Sequence, residues 1–275
     1  MRSLIVLVAV LAVTSCVGRA RQAEGAREGL RVLVYNIHAG KDAEGVDNLA
    51  RVAEVVREAD ADLALLQEVD RGTERSGRVD QVAELARLTG RYAAFGKSLD
   101  YQGGHYGIAL LSRWPVVAES TVHLQVTPAQ TRSGGSREPR VLLHATVVTG
   151  RGDTLDVLNT HIDASRVESF RMQEAATIGD VVRALALRRR RGGLLLLGGD
   201  FNSTPESAVH ARVEESGVRD AWPGCGAGSE LTYPSAAPIK RIDYLFLLPP
   251  ARCTTARVLD SSASDHRPVL LTVAR

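Results

Sequence analysis

Residues 194–202 read Leu194-Leu195-Leu196-Leu197-Gly198-Gly199-Asp200-Phe201-Asn202. Four leucines in a row are apolar on every side, a pattern that suits a strand covered on both faces. The polar residues arrive where that strand ends, and open α/β sheets commonly place ligands at strand ends. Residues 166–190, just upstream, read as one long helix.

The neighbouring segments alternate in the same way. Leu30 to Asn36 reads as a strand, and residues 47–59 as a helix with Leu49, Val52, Val55 and Val56 on one face. Leu63 to Leu66 is a second strand and residues 79–89 a second helix. Strands follow at 107–112, 116–124, 140–148 and 154–159, and Ile242 to Leu248, Thr254 to Val258 and Pro268 to Val273 are strand-like. The order begins βαβα and turns strand-rich, which favours two packed sheets with helices outside.

With 275 residues, 44% of them hydrophobic, the chain can bury one full-sized α/β core. Its 34 basic and 32 acidic residues give a net charge of +2, so no global field draws a polyanion. The basic run Arg188 to Arg191 closes the long helix before Gly192 and Gly193, where cations complement the helix dipole and glycine caps the end. Gly90 to Ser98 imitates a phosphate-binding loop, but five residues separate its glycines where four are required, and it follows a helix.

The N-terminus reads as a processing signal. Arg2 precedes an apolar stretch from Leu4 to Val13, too short to span a bilayer comfortably. Val13-Thr14-Ser15-Cys16 resembles the lipobox of bacterial lipoproteins. That resemblance implies a signal peptide over residues 1–16, a lipid on Cys16, a flexible tether over 17–29 and export to the extracytoplasmic side of a membrane. Cys225 and Cys253 sit in no metal-ligand spacing and read as structural, either paired or free.

Asn36, Glu68, Asn159-Thr160-His161, Asp200-Phe201-Asn202, Asp243 and Asp265-His266 all fall at or beside predicted strands. Any one Asn or Asp is more often a turn or cap residue than a reactive one. Together they supply carboxylates and amides for a hard divalent cation, and imidazoles for a developing phosphorane charge. That inventory suits phosphate-ester hydrolysis.

The motifs Tyr35-Asn36-Ile37-His38, Leu66-Gln67-Glu68-Val69, Tyr106 to Arg113, Asn159-Thr160-His161, Gly199-Asp200-Phe201-Asn202, Arg241-Ile242-Asp243-Tyr244 and Ser264 to Pro268 resemble, in order, those of the endonuclease/exonuclease/phosphatase (DNase-I-like) superfamily. That superfamily includes apurinic endonucleases, inositol polyphosphate phosphatases and bacterial sphingomyelinases. The resemblance covers residues 30–275 and implies an α/β fold, a four-layer α/β sandwich of two packed mixed sheets flanked by helices.

It also implies roles. Glu68 would hold Mg²⁺ or Mn²⁺ with Asn36 beside it and Asp265 contributing, while Asp200 would activate the attacking water with Asn202 fixing the geometry. His161 and His266 would donate to phosphoryl oxygens, Asp243 would orient His266, and Tyr106 and Arg140 would reach the phosphate. His38 lies two residues beyond Asn36 and is divided between the site and packing. The chain departs from many relatives at Ile108, where they carry Asn, which implies a lost polar contact near the substrate pocket.

The expected activity is that of a phosphodiesterase or phosphatase acting on small-molecule or lipid head-group phosphates. An extracytoplasmic nuclease acting on DNA is the alternative, weakened by the lack of a basic arm and by 4% aromatic content. A non-catalytic binding protein of the same fold would be expected to have lost Glu68, Asp200 or His266, and all three are present.

Overall fold

The computed structural model describes residues 29–129, 138–188 and 193–274. The signal segment with Cys16, the tether up to residue 28, most of the Thr131 to Pro139 loop and Arg189 to Arg191 lie outside the described residues.

Two mixed six-stranded sheets pack face to face with helices on both outer faces. The first sheet holds β1 (Leu30–Asn36), β2 (Leu63–Arg71), β3 (Tyr92–Tyr101), β4 (Gly104–Ser112), β11 (Cys253–Val258) and β12 (Val269–Val273), in the order β11-β12-β1-β2-β4-β3. The second holds β5 (Val116–Leu124), β6 (Arg140–Val148), β7 (Thr154–His161), β8 (Leu194–Asp200), β9 (Arg219–Asp220) and β10 (Asp243–Leu247), in the order β5-β6-β7-β8-β10-β9. Each sheet has one parallel pair near its centre, β1 with β2 and β7 with β8. A helix joins each pair: α1 (Leu49–Glu58) and α3 (Glu168–Arg188). Helices α2 (Gln81–Thr89) and α4 (Ala208–Glu214) complete the outer layers.

The leucine run behaves as its pattern requires. Leu196 enters the core between the sheets, while Leu195 and Leu197 lie under α3 with Ile178 and Val182. In β1, Val32 and Val34 face the opposite sheet, and Leu33 and Tyr35 face Val52, Val55 and Val56 of α1. Period-two alternation with both faces apolar is what makes these strands internal.

Three elements are not legible in the pattern: β3, which takes up Tyr92 to Ser98 of the loop-like Gly90 to Ser98 stretch, and the short α4 and β9. β2 also runs past Leu66 to Arg71 through a bulge, its register against β4 shifting between Leu66 and Val69. Glu68 stands in that bulge with a left-handed φ of 56°. The predicted strand stopped short because a bulge breaks the alternation without ending the pairing. Ile108 is buried in the core between the sheets, so its place is in packing. Cys225 and Cys253 are paired: their disulfide, with Cα atoms 5.7 Å apart, ties the loop after β9 to the start of β11 across the two sheets.

Candidate active site

The C-terminal ends of the two parallel pairs meet at one edge of the sandwich. Within the second pair, Gly199 lets β7 and β8 come close: a Cβ there would lie 2.0 Å from Thr160 O, at a φ of +146°. Only glycine lets β8 lie this way against β7, which sets Asp200 beside its register partner His161.

A cleft of about 550 Å³ opens at this edge. Glu68, Tyr106, Arg140, His161, Asp200, Asn202, Asp265 and His266 all line it. Asn36 and Asp243, 0% and 1% exposed, stand directly behind. Asn36 Nδ2 donates to Glu68 Oε1 at 3.1 Å and to Asp200 Oδ2 at 3.0 Å, and its Oδ1 accepts from His38 N. The amide thus holds two carboxylates together with its nitrogen end.

Asp200 Oδ2 is also 3.6 Å from His161 Nε2 and 3.6 Å from His266 Nε2. Its Oδ1 accepts from Asn202 N at 2.9 Å. Burial, then the neighbouring Asp243, push the Asp200 carboxyl above the usual carboxylate range. His266 Nδ1 lies 3.0 Å from Asp243 Oδ2. Burial alone would lower the His266 pKa, but the Asp243 and Asp200 charges override it and carry it up to about 10. His266 is therefore an imidazolium at neutral pH.

His161 has the opposite surroundings. Its Nδ1 lies 3.0 Å from Arg140 Nη1, and its Nε2 lies 3.1 Å from Asn202 Nδ2. Burial and the Arg140 charge push its pKa well below the ordinary value. One imidazole is charged and the other neutral.

Two donor sets could hold a cation. Asp200, Asp243 and His266 bring one ligand atom each within 4.8 Å of one another. There, however, His266 keeps its proton and already supplies the positive charge between the carboxylates. Glu68 and Asp265 offer oxygens toward the same cleft. Asn36 bonds only Oε1 of Glu68, and Ser264 Oγ only Oδ1 of Asp265, so one oxygen of each has no bond from the described residues. Hard, partly exposed carboxylate oxygens of this kind fit Mg²⁺ or Mn²⁺, which keep several waters. His38 stands on that side, with Nδ1 3.9 Å from Asp265 Oδ1.

The cleft has lining residues that the sequence did not reveal. Arg75 binds the buried Asp70 through Nε at 2.7 Å and Nη2 at 2.8 Å, and its guanidinium lies 5.3 Å from the Tyr106 ring centre. Tyr233 packs on His266 with ring centres 4.8 Å apart. Arg171 donates to the carbonyl of Ser165. Nothing in a polar loop distinguishes Arg75 from Arg71 or Arg78 before the fold is known. Beneath the Glu68 bulge, Asn159 Nδ2 donates to Leu66 O and Ala109 O at 3.0 and 2.9 Å.

Known proteins resemble this chain over most of its length. It is 26% identical over 250 residues to the uncharacterized protein YbhP of Escherichia coli K12, covering 87% of this chain and 94% of YbhP. It is 25% identical over 205 residues to the inositol phosphosphingolipids phospholipase C of Schizosaccharomyces pombe, covering 70% of this chain and 46% of that protein. A solved mannosyl-6-phosphatase of Bacteroides thetaiotaomicron shares the fold, with a TM-score of 0.73 and 17% identity over 90% of this chain and all (100%) of that one. The sequence profile of the Endonuclease/Exonuclease/phosphatase family matches residues 33–266, which include every cleft residue from Asn36 to His266, and the chain belongs to that family of phosphoester hydrolases.

Proposed function

We propose that the protein is a metal-dependent phosphodiesterase or phosphatase that hydrolyses small-molecule or lipid head-group phosphate esters with a water activated by Asp200. The observation that carries this reading is the position of Asp200 Oδ2, bonded by Asn36 and 3.6 Å from both imidazoles. A carboxylate with a raised proton affinity, facing two N–H donors, is suited to take a proton from an attacking water.

Glu68 and Asp265 would hold Mg²⁺ or Mn²⁺, with Asn36 fixing the Glu68 carboxylate. When bound, the cation supplies positive charge to the phosphoryl and departing oxygens. The residues do the rest. Asp200 takes the proton as the water oxygen bonds to phosphorus, and the bond to the leaving oxygen breaks in line. His266, held charged by Asp243, donates to a phosphoryl oxygen; His161 and Asn202 donate as neutral groups. Tyr106 and Arg140 complete the phosphate wall of the cleft.

The Cys225–Cys253 disulfide supports the exported location that the lipobox-like Cys16 suggests, because such bonds persist in oxidising compartments. The Schizosaccharomyces pombe relative, named as an inositol phosphosphingolipids phospholipase C, supports a lipid-derived phosphate among the substrates.

The test uses the purified protein with Mg²⁺ and an aryl phosphate or bis-aryl phosphodiester. Asp200→Asn lowers turnover by about 10²- to 10⁴-fold while leaving the fold intact. Equal turnover by both proteins overturns the mechanism.

A further inference from the structure

The two histidines of the cleft receive opposite partners at the same ring atom. His266 turns Nδ1 to a carboxylate and His161 turns Nδ1 to a guanidinium. We propose that Arg140 is a positioning residue that locks His161 as the neutral Nε2–H tautomer, so that His161 Nε2 and Asn202 Nδ2 form a ready pair of uncharged donors for one phosphoryl oxygen. The inference deepens the phosphoesterase reading and rests on it for the identity of the bound group.

A guanidinium has only donors and stays protonated in proteins, so it can bond Nδ1 only if that nitrogen presents its lone pair. Arg140 is 4% exposed at the start of β6, where burial opposes its charge and the nearby Glu138 and Glu68 carboxylates favour it. His161 ends β7 at 5% exposure. A second proton on the ring would sit buried against that cation. The remaining neighbours are Asp200 from β8, Asn202 from the loop after it, and the charged His266. Burial, Arg140 and His266 together oppose the imidazolium. A neutral ring whose Nδ1 accepts must carry its proton on Nε2.

The consequence lies at Nε2. Asn202 Nδ2 is 3.1 Å away, and that amide is oriented by its bond to Ile162 O at 3.0 Å. Two N–H donors therefore lie side by side on the cleft wall, with Asp200 Oδ2 at 3.6 Å as the nearby acceptor. Adjacent donors without a shared acceptor are unfavourable in a buried cleft, and an anionic oxygen that accepts from both relieves the conflict. It follows that His161 binds charge but moves no proton. It differs in this from His266, whose carboxylate partner makes it cationic.

The test is long-range ¹H–¹⁵N correlation spectroscopy on the intact protein with ¹⁵N-labelled histidine, read across about pH 5 to 8, where an ordinary histidine titrates. The wild type is expected to show His161 as the Nε2–H tautomer throughout. In Arg140→Met the Nδ1–H form becomes populated and His161 titrates within the window, with kcat lowered about 10²-fold. Arg140→Lys, which keeps a charged donor, restores the Nε2–H form. A wild-type spectrum with the proton on Nδ1, or with an imidazolium at neutral pH, overturns the proposal even if no variant folds. So does an unchanged tautomer in Arg140→Met. The spectrum needs no turnover: absent hydrolysis with the tautomer in place counts against the phosphoesterase reading alone.

Discussion

Gln67 and Asn159 join the two sheets by a buried hydrogen bond, Gln67 Nε2 donating to Asn159 Oδ1 at 2.7 Å. Gln67 is the residue before the bulged Glu68, and Asn159 is tied by its other end to β2 and β4. The bulge that turns Glu68 toward the cleft is thus fastened from the opposite sheet. Gln67→Leu would leave Asn159 Oδ1 bare in a dry core, at a cost of about 1–3 kcal/mol. Urea denaturation is the measurement: a lowered midpoint with an unchanged slope is expected. A midpoint equal to the wild type would show that the bond carries no stability.

Glu68→Gln should weaken cation binding, since it replaces a charged oxygen donor with a neutral amide. Mn²⁺ affinity is expected to fall more than about 10-fold, by analogy with losses seen when even supporting residues of metal sites are changed. Titration followed by paramagnetic resonance reads this directly. Undiminished Mn²⁺ binding in the variant would move the cation to the Asp200, Asp243 and His266 group.

Glu174 of α3 is fully buried and accepts from Asp163 N at 2.7 Å. Burial drives its carboxyl up from 4.5 to about 8. The folded protein holds that proton more tightly than the unfolded chain does. The resulting stability is complete below pH 4.5 and is lost as pH rises toward and through about 8, by an amount on the order of 5 kcal/mol. Glu174→Gln keeps an acceptor for Asp163 and removes the titration. Urea midpoints should therefore diverge in favour of the variant between about pH 5 and pH 8. Parallel curves would refute the assignment.

Cys225 and Cys253 are 28 residues apart, and a cross-link of that span typically contributes about 2–4 kcal/mol. The double Cys→Ala variant should melt earlier, and reductant should lower the wild-type Tm while leaving the variant unmoved. If reductant shifts both equally, the bond is not the cause.

The parts of the fold that could be read in the sequence are those whose signal is local. Leu194 to Leu197 and Leu30 to Asn36 disclose internal strands because their residues are apolar on both faces. Long-range relations leave no such mark. Gln67 and Asn159 meet across 92 positions, and Asn36 meets Asp200 across 164. The ordered motifs named residues that the fold gathers at one cleft, yet not which end of the Asn36 amide faces the carboxylates, nor the contrasting surroundings of the two histidines. β3 escaped because Gly90 and Gly96 give its start the look of a loop.

β1 lies between β2 and β12, so the first and last strands of the folded domain are neighbours. Asp265 and His266 immediately precede β12, only a few residues before the end of the described chain. A growing polypeptide therefore carries Glu68 and Asp200 long before it can present the histidine that stands between Asp200 and Asp243. Until the closing strand docks on the opening one, the cleft lacks both Asp265 and His266.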